Sequence, residues 1–122
     1  MPALMKALRL QEKTKKVGFE WENTEQVLAK VNEELQELQE AIALDDKNEI
    51  EEEFGDVLFA LINYARFIKV DPEHALELTN KKFIRRFQKI EEMAAGLGKT
   101  LHDMTLNEMD ALWNEVKAME KA

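Results

Sequence analysis

Residues 24–68 carry two long stretches of helical periodicity with almost nothing between them. Val27, Leu28, Val31, Leu35, Leu38 and Ile42 recur at steps of one, three and four. Ile50, Phe54, Val57, Leu58, Leu61 and Ile62 repeat the pattern. Such spacing predicts two amphipathic helices over 24–44 and 47–68, each with an inward apolar stripe. Only Asp45 and Asp46 part them, so the two must fold back as an antiparallel hairpin. Three more helices are expected, over 3–16, from Pro72 to about 95, and over 105–119. Their punctuation is chemical. Gly18 ends the first, and Asn23 or Thr24 caps the second. Asp71-Pro72 restarts the chain with a capping Asp and Pro at the first helical position. Gly96 and Gly98 stop the fourth, and Thr105 with Glu108 forms a capping box for the fifth. No segment reads as a strand. The expected fold is all-α, a bundle of about five helices in one domain over 1–122.

The hairpin carries an unusual charge. Glu34 and Glu37 lie three residues apart on its first helix, and Glu53 and Asp56 three apart on its second. That spacing puts each pair on one helical face, beside the apolar stripe, at the expected margin of the core. Antiparallel packing brings the two pairs level. Four gathered carboxylates repel one another unless a cation sits among them. Neither His74 nor His102 lies three residues after one of these acids, so the ligand set is all oxygen. Oxygen-only ligation points to Mg²⁺, with Mn²⁺ as a substitute, rather than to iron or zinc. The plain alternative is a solvated acidic face on a helical interaction module.

Charge elsewhere sharpens the pattern. The chain carries a formal net charge of −8, which argues against a nucleic-acid backbone as partner. From Glu33 to Asp56 there are 11 acidic residues and one basic residue, Lys47. From Lys81 to Lys89 there are five basic residues and no acidic one. An acidic focus and a basic focus together suit a metal-bridged polyphosphate, with Arg as a planar fork and Lys as a point charge. Phe83, Phe87 and Ile90 are expected to form the buried edge of the basic segment. Trp21, Phe19 and Trp113 are candidates to stack on a base. Gly55, inside the third helix, calls for a close helix crossing or a bulky ligand. There is no Cys, hence no disulfide or thiolate site. No apolar run approaches a membrane span, no signal peptide is visible, and no P-loop or dinucleotide fingerprint occurs. A cytoplasmic protein with no membrane partner is expected.

These residues resemble the MazG nucleoside triphosphate pyrophosphohydrolases of the all-α NTP pyrophosphatase group. The signature E-E-x-x-E, a spacer, then E-x-x-D stands here as E-E-L-Q-E over 33–37 and E-F-G-D over 53–56. P-A-L-M-K-A near the start, V-G-F-E-W over 17–21, N-K-K-F-I-R-R-F over 80–87 and L-W-N-E-V-K over 112–117 extend the likeness. The chain is similar to the C-terminal catalytic half of two-domain MazG proteins. The resemblance implies hydrolysis of (d)NTPs to (d)NMPs and pyrophosphate, by metal-activated water attack on the α-phosphate. It implies Glu34, Glu37, Glu53 and Asp56 as catalytic Mg²⁺ ligands, with Glu33 away from the metal. Lys82 and Arg86 would hold phosphates, and Trp113 and Lys117 would lie beside the nucleotide. It further implies a homodimer or higher homo-oligomer. Related activities of the same fold group, on dUTP or phosphoribosyl-ATP, remain alternatives.

Overall fold

The computed structural model describes residues 1–121 and is all-α there, with five α-helices and no strand. The helices are α1 (Ala3–Lys15), α2 (Thr24–Leu44), α3 (Lys47–Phe67), α4 (Pro72–Gly96) and α5 (Leu106–Lys121), with a short 3-10 turn at Leu101–Asp103. The caps follow the sequence. The Asn23 side chain accepts from the Gln26 N–H, and Asp46 accepts from that of Glu49. Asp71 Oδ1 accepts from the amides of Glu73 and His74 ahead of α4. Thr105 and Glu108 form the reciprocal box, each bond 3.1 Å long. Asp45 turns the hairpin in a left-handed conformation, φ 54°, which Asp tolerates better than most residues. Gly18 and Gly98 also have positive φ, each past a helix end.

The chain divides into two compact units, residues 1–75 and 76–122, with the boundary inside α4. In the first, α2 packs along α3, and α1 also packs on α3. Its interior is built mostly from small side chains, Ala7, Val27, Val31, Ala41, Val57 and Ala60, with the larger Ile62. Small residues let helices approach closely. In the second unit, Ile90 and Ala94 of α4 pack with Leu112 and Val116 of α5, flanked by Met93, Leu101, Met104 and Trp113.

The stripes divide differently from the expectation. Val27, Val31, Val57 and Ile62 are buried, but Leu28, Leu35, Ile42, Phe54, Leu58 and Leu61 are 40–55% exposed. Glu34 and Ala41 lie inside instead. The reason is angular. The helix face that includes Val27, Val31, Glu34 and Ala41 meets the neighbouring helices, and the larger apolar residues fall on the other side of the stripe. Gly55 shares that open side: a Cβ there would meet nothing within 4 Å. No close crossing among the described residues explains it. Phe83 and Phe87 likewise are not a buried edge. They are 55% and 40% exposed and stack on each other, with ring centroids 6.0 Å apart, while Ile90 is buried.

Candidate metal centre

The hairpin brings three acids together. Glu34 and Glu37 project from α2 and Glu53 from α3, and one carboxylate oxygen of each lies within 4.8 Å of the others. Glu34 is the deepest, 6% exposed. Glu34 Oε2 and Glu53 Oε2 are buried and accept no hydrogen bond. Orphaned anionic oxygens are costly in an interior, and a cation among them would satisfy both. The donor set is carboxylate only, which fits a hard divalent cation. Glu53 shows the strain: burial foremost, then the carboxylates of Glu37, Asp56 and Glu34, push its pKa up to about 7.

Asp56 stands apart from that triad. It is exposed and lies on the wall of an adjoining cavity that Glu34 also lines. Among the neighbouring acids, Glu33, Glu51 and Glu52 are exposed. Lys30, one turn before Glu34, bridges Glu33 and Glu34 at 2.9 and 3.0 Å. The bonds to Glu33 and then Glu34 raise the Lys30 pKa and keep the ammonium charged.

The cavity encloses about 640 Å³, within the range of small-molecule sites. Its walls come from α1, the 18–21 loop, α2 and α3, and they are mostly apolar: Leu10, Phe19, Trp21, Phe59 and Ala60. Lys30, Glu34, Asp56, Asn63 and Arg66 supply its charged and polar groups, with Gln11, Thr14 and Glu20. Arg66 ties the loop down. Its two terminal nitrogens each donate to Glu20 at 2.8 Å, and Nη2 also donates to Asn63 Oδ1 at 2.7 Å. The Arg66 hydrogen bond holds the Glu20 carboxyl below its usual range. Sequence reasoning put no role on Gln11, Glu20, Lys30 or Arg66. The signal for Lys30 was its step of four before Glu34; nothing local marks the 46-residue reach from Glu20 to Arg66.

The basic and aromatic candidates lie in the second unit. Arg86 is engaged by Glu120, with Nη2 donating to Oε2 at 2.7 Å, and its guanidinium sits 5.6 Å from the Trp113 ring centre. The Glu120 bond raises the Arg86 pKa. Trp113 also packs on Phe83, centroids 5.5 Å apart. Lys82 and Lys117 are exposed and form no ion pair among the described residues. Trp21 and Phe19 therefore line the cavity, whereas Trp113 builds the α4–α5 contact.

Residues 22–90 match the family model of the MazG nucleotide pyrophosphohydrolase domain, and the chain belongs to that family. It is 44% identical over 117 residues to the nucleoside triphosphate pyrophosphohydrolase/pyrophosphatase MazG of Thermotoga maritima, covering 96% of this chain and 45% of that protein. It is 38% identical over 122 residues to the nucleoside triphosphate pyrophosphohydrolase of Escherichia coli K12, covering 98% of this chain and 46% of the relative. A 75-residue stretch is 55% identical to the uncharacterized protein YabN of Bacillus subtilis, covering 62% of this chain and 15% of that protein. The chain thus spans under half the length of the curated relatives it matches. No described helix is long and apolar enough to cross a membrane.

Proposed function

We propose that the chain is one catalytic domain of a divalent-cation-dependent nucleoside triphosphate pyrophosphohydrolase, converting (d)NTP to (d)NMP and pyrophosphate. One observation carries the reading. Three carboxylates converge within 4.8 Å with two buried oxygens unpartnered, and the most buried of them, Glu34, also lines a cavity of about 640 Å³. The names of the two long relatives agree with it.

Glu34, Glu37 and Glu53 are the residues to hold the cation, with Asp56 completing the set from the cavity wall. The cation is Mg²⁺, for which Mn²⁺ can substitute. When bound, it supplies charge neutralisation on the triphosphate and a lowered pKa for water. The chain's own part is positioning. The hairpin fixes the carboxylates, the cavity takes the nucleoside, and its apolar walls exclude bulk water from the α-phosphorus. Water adds there and pyrophosphate leaves. Lys30 stands on the cavity wall as a cation beside Glu34, ready to neutralise phosphate oxygen. Lys82 and Arg86 as phosphate contacts, and Trp113 and Lys117 as nucleotide contacts, rest on the family resemblance.

A homodimer or higher oligomer belongs to the same proposal. Leu28, Leu35 and Ile42 of α2 and Phe54, Leu58 and Leu61 of α3 are large apolar side chains left exposed. A second copy would cover them.

The decisive experiment is pyrophosphate release from a nucleotide panel, including dUTP and phosphoribosyl-ATP, with Mg²⁺. Glu37→Gln and Asp56→Asn are expected to abolish it while circular dichroism stays helical. Full activity in either variant removes the ligand assignment. Absence of release from every nucleotide leaves the interaction-module reading in its place.

A further inference from the structure

One polar side chain of the cavity wall takes no part in the hydrolysis proposed above. Asn63 lies on α3, partly buried, and lines the cavity. It follows Asp56 and Ala60, which line the same cavity, at steps of four and three, so the three share one face of the helix. Its Oδ1 accepts from Arg66 Nη2 at 2.7 Å. A guanidinium only donates, so this bond fixes which end of the amide is oxygen. Arg66 is itself held by both oxygens of Glu20, each at 2.8 Å, which keeps the amide from turning. Asn63 Nδ2 is thereby presented as a donor. It has no partner among the described residues, yet it is not one of the buried orphaned atoms, so it is open to the space that the residue lines.

The chemistry of the occupant follows from the donor and its place. Asn63 stands two turns beyond Asp56 along α3, about 10 Å at the helical rise. That is the reach from an α-phosphate held at the acids to the outer edge of a base. A neutral amide N–H there selects an acceptor. Trp21 and Phe59, both exposed, give the cavity flat apolar walls that suit a planar heterocycle. We propose that Asn63 is a specificity-determining residue, its Nδ2 donating a hydrogen bond to the carbonyl oxygen on the pairing edge of a keto base. This rests on the cavity being the nucleoside site of the proposed pyrophosphohydrolase. Uracil, thymine, guanine and hypoxanthine offer that acceptor. Cytosine and adenine present an amino group instead, so donor meets donor and two polar groups are left unpaired.

The test reads ratios between bases. UTP is compared with CTP, and ITP with ATP, as non-hydrolysable α,β-imido analogues bound with Mg²⁺. The wild-type protein is expected to bind the keto member of at least one pair about tenfold or more tighter than the amino member. Asn63→Asp keeps the shape and the bond from Arg66 but offers only acceptors, and is expected to invert that preference. Its added charge acts on both members of a pair and cancels in the ratio. Asn63→Ala removes the donor and is expected to close the gap, which decides the matter if the Asp variant does not fold. Equal binding in both wild-type pairs overturns the inference, as does a preference for the amino member in either pair, or a keto preference that survives in either variant. If removing the ribose 3′-hydroxyl weakens the wild type about tenfold and Asn63→Ala not at all, with the base pairs bound equally, the partner is the sugar and the base assignment falls. Pyrophosphate release by the wild type separates the two levels. Release without a keto preference sinks only the role of Asn63; neither release nor binding sinks the parent reading with it.

Discussion

Lys30 Nζ lies 3.0 Å from Glu34 Oε1, so the deepest acid of the cluster is held through one oxygen while its second, Oε2, has no partner. Lys30→Met leaves the Glu34 charge facing Glu37 and Glu53 alone. The Lys30 side chain is 38% exposed, and solvent screens the pair, so the loss is about 1 kcal/mol. Urea unfolding with chelator present measures it. Added Mg²⁺ is expected to shrink the difference, because the cation takes over as counter-charge. An equal deficit with and without Mg²⁺ would show that Lys30 supports the fold independently of the acids.

Glu53 gives the metal-free protein a pH dependence with a definite sign. Its folded pKa, about 7, stands above the ordinary 4.5. The folded state therefore binds this proton more tightly than the unfolded state. The contribution is fully present below the ordinary value and is lost as pH rises through about 7. Chelated protein is expected to lose stability between mildly acid and mildly alkaline pH, and Glu53→Gln to flatten that slope. A slope identical in the variant would assign the effect to another group.

Arg66 and Glu20 form a bidentate pair with side chains only 14% and 19% exposed. Arg66→Ala strands a partly buried carboxylate, frees Asn63 and removes the cation from the Phe67 ring, 5.2 Å away. The expected cost is about 2 kcal/mol. Glu20 has a lowered pKa, so this stabilisation is present above the ordinary carboxyl range and fades as pH falls through the folded value. The deficit should thus be larger at neutral than at acid pH. Because Glu20 anchors the loop bearing Trp21, nucleotide KM is expected to rise as well.

The exposed face of α2 and α3 predicts association. Leu58, one of its residues, is 49% exposed. Leu58→Lys is expected to lower the mass found by light scattering toward one chain, with helical circular dichroism retained. A wild-type protein that already runs as one chain would refute the oligomer.

Trp113 packs against the α4–α5 core, on Phe83 and under Arg86. Trp113→Ala is expected to cost about 3 kcal/mol as a cavity substitution. Trp113→Phe keeps most of that packing. If Trp113 also touches nucleotide, the Phe variant raises KM at little cost in stability; an unchanged KM makes it a core residue alone.

Much of the fold could be read from local chemistry. Asn23, Asp71, Thr105 and Glu108 mark helix starts because a cap is a contact between residues two or three apart. The Glu34 side chain is 8% exposed and that of Glu33 55%. The family motif implied Glu34 rather than Glu33 as a ligand. The stripe of Leu28, Leu35 and Ile42 was misplaced because periodicity shows that a helix has an apolar side without showing which neighbour covers it.

The sequence by itself determined the helices, their caps, the hairpin and the carboxylate spacing, all set by interactions within a turn or two of chain. Tertiary structure alone decided which edge of each stripe is interior. It also joined Glu20 to Arg66 and turned the Gln11 amide so that its oxygen faces no partner. Those outcomes depend on the angles at which helices far apart in sequence meet, and no local pattern encodes such angles.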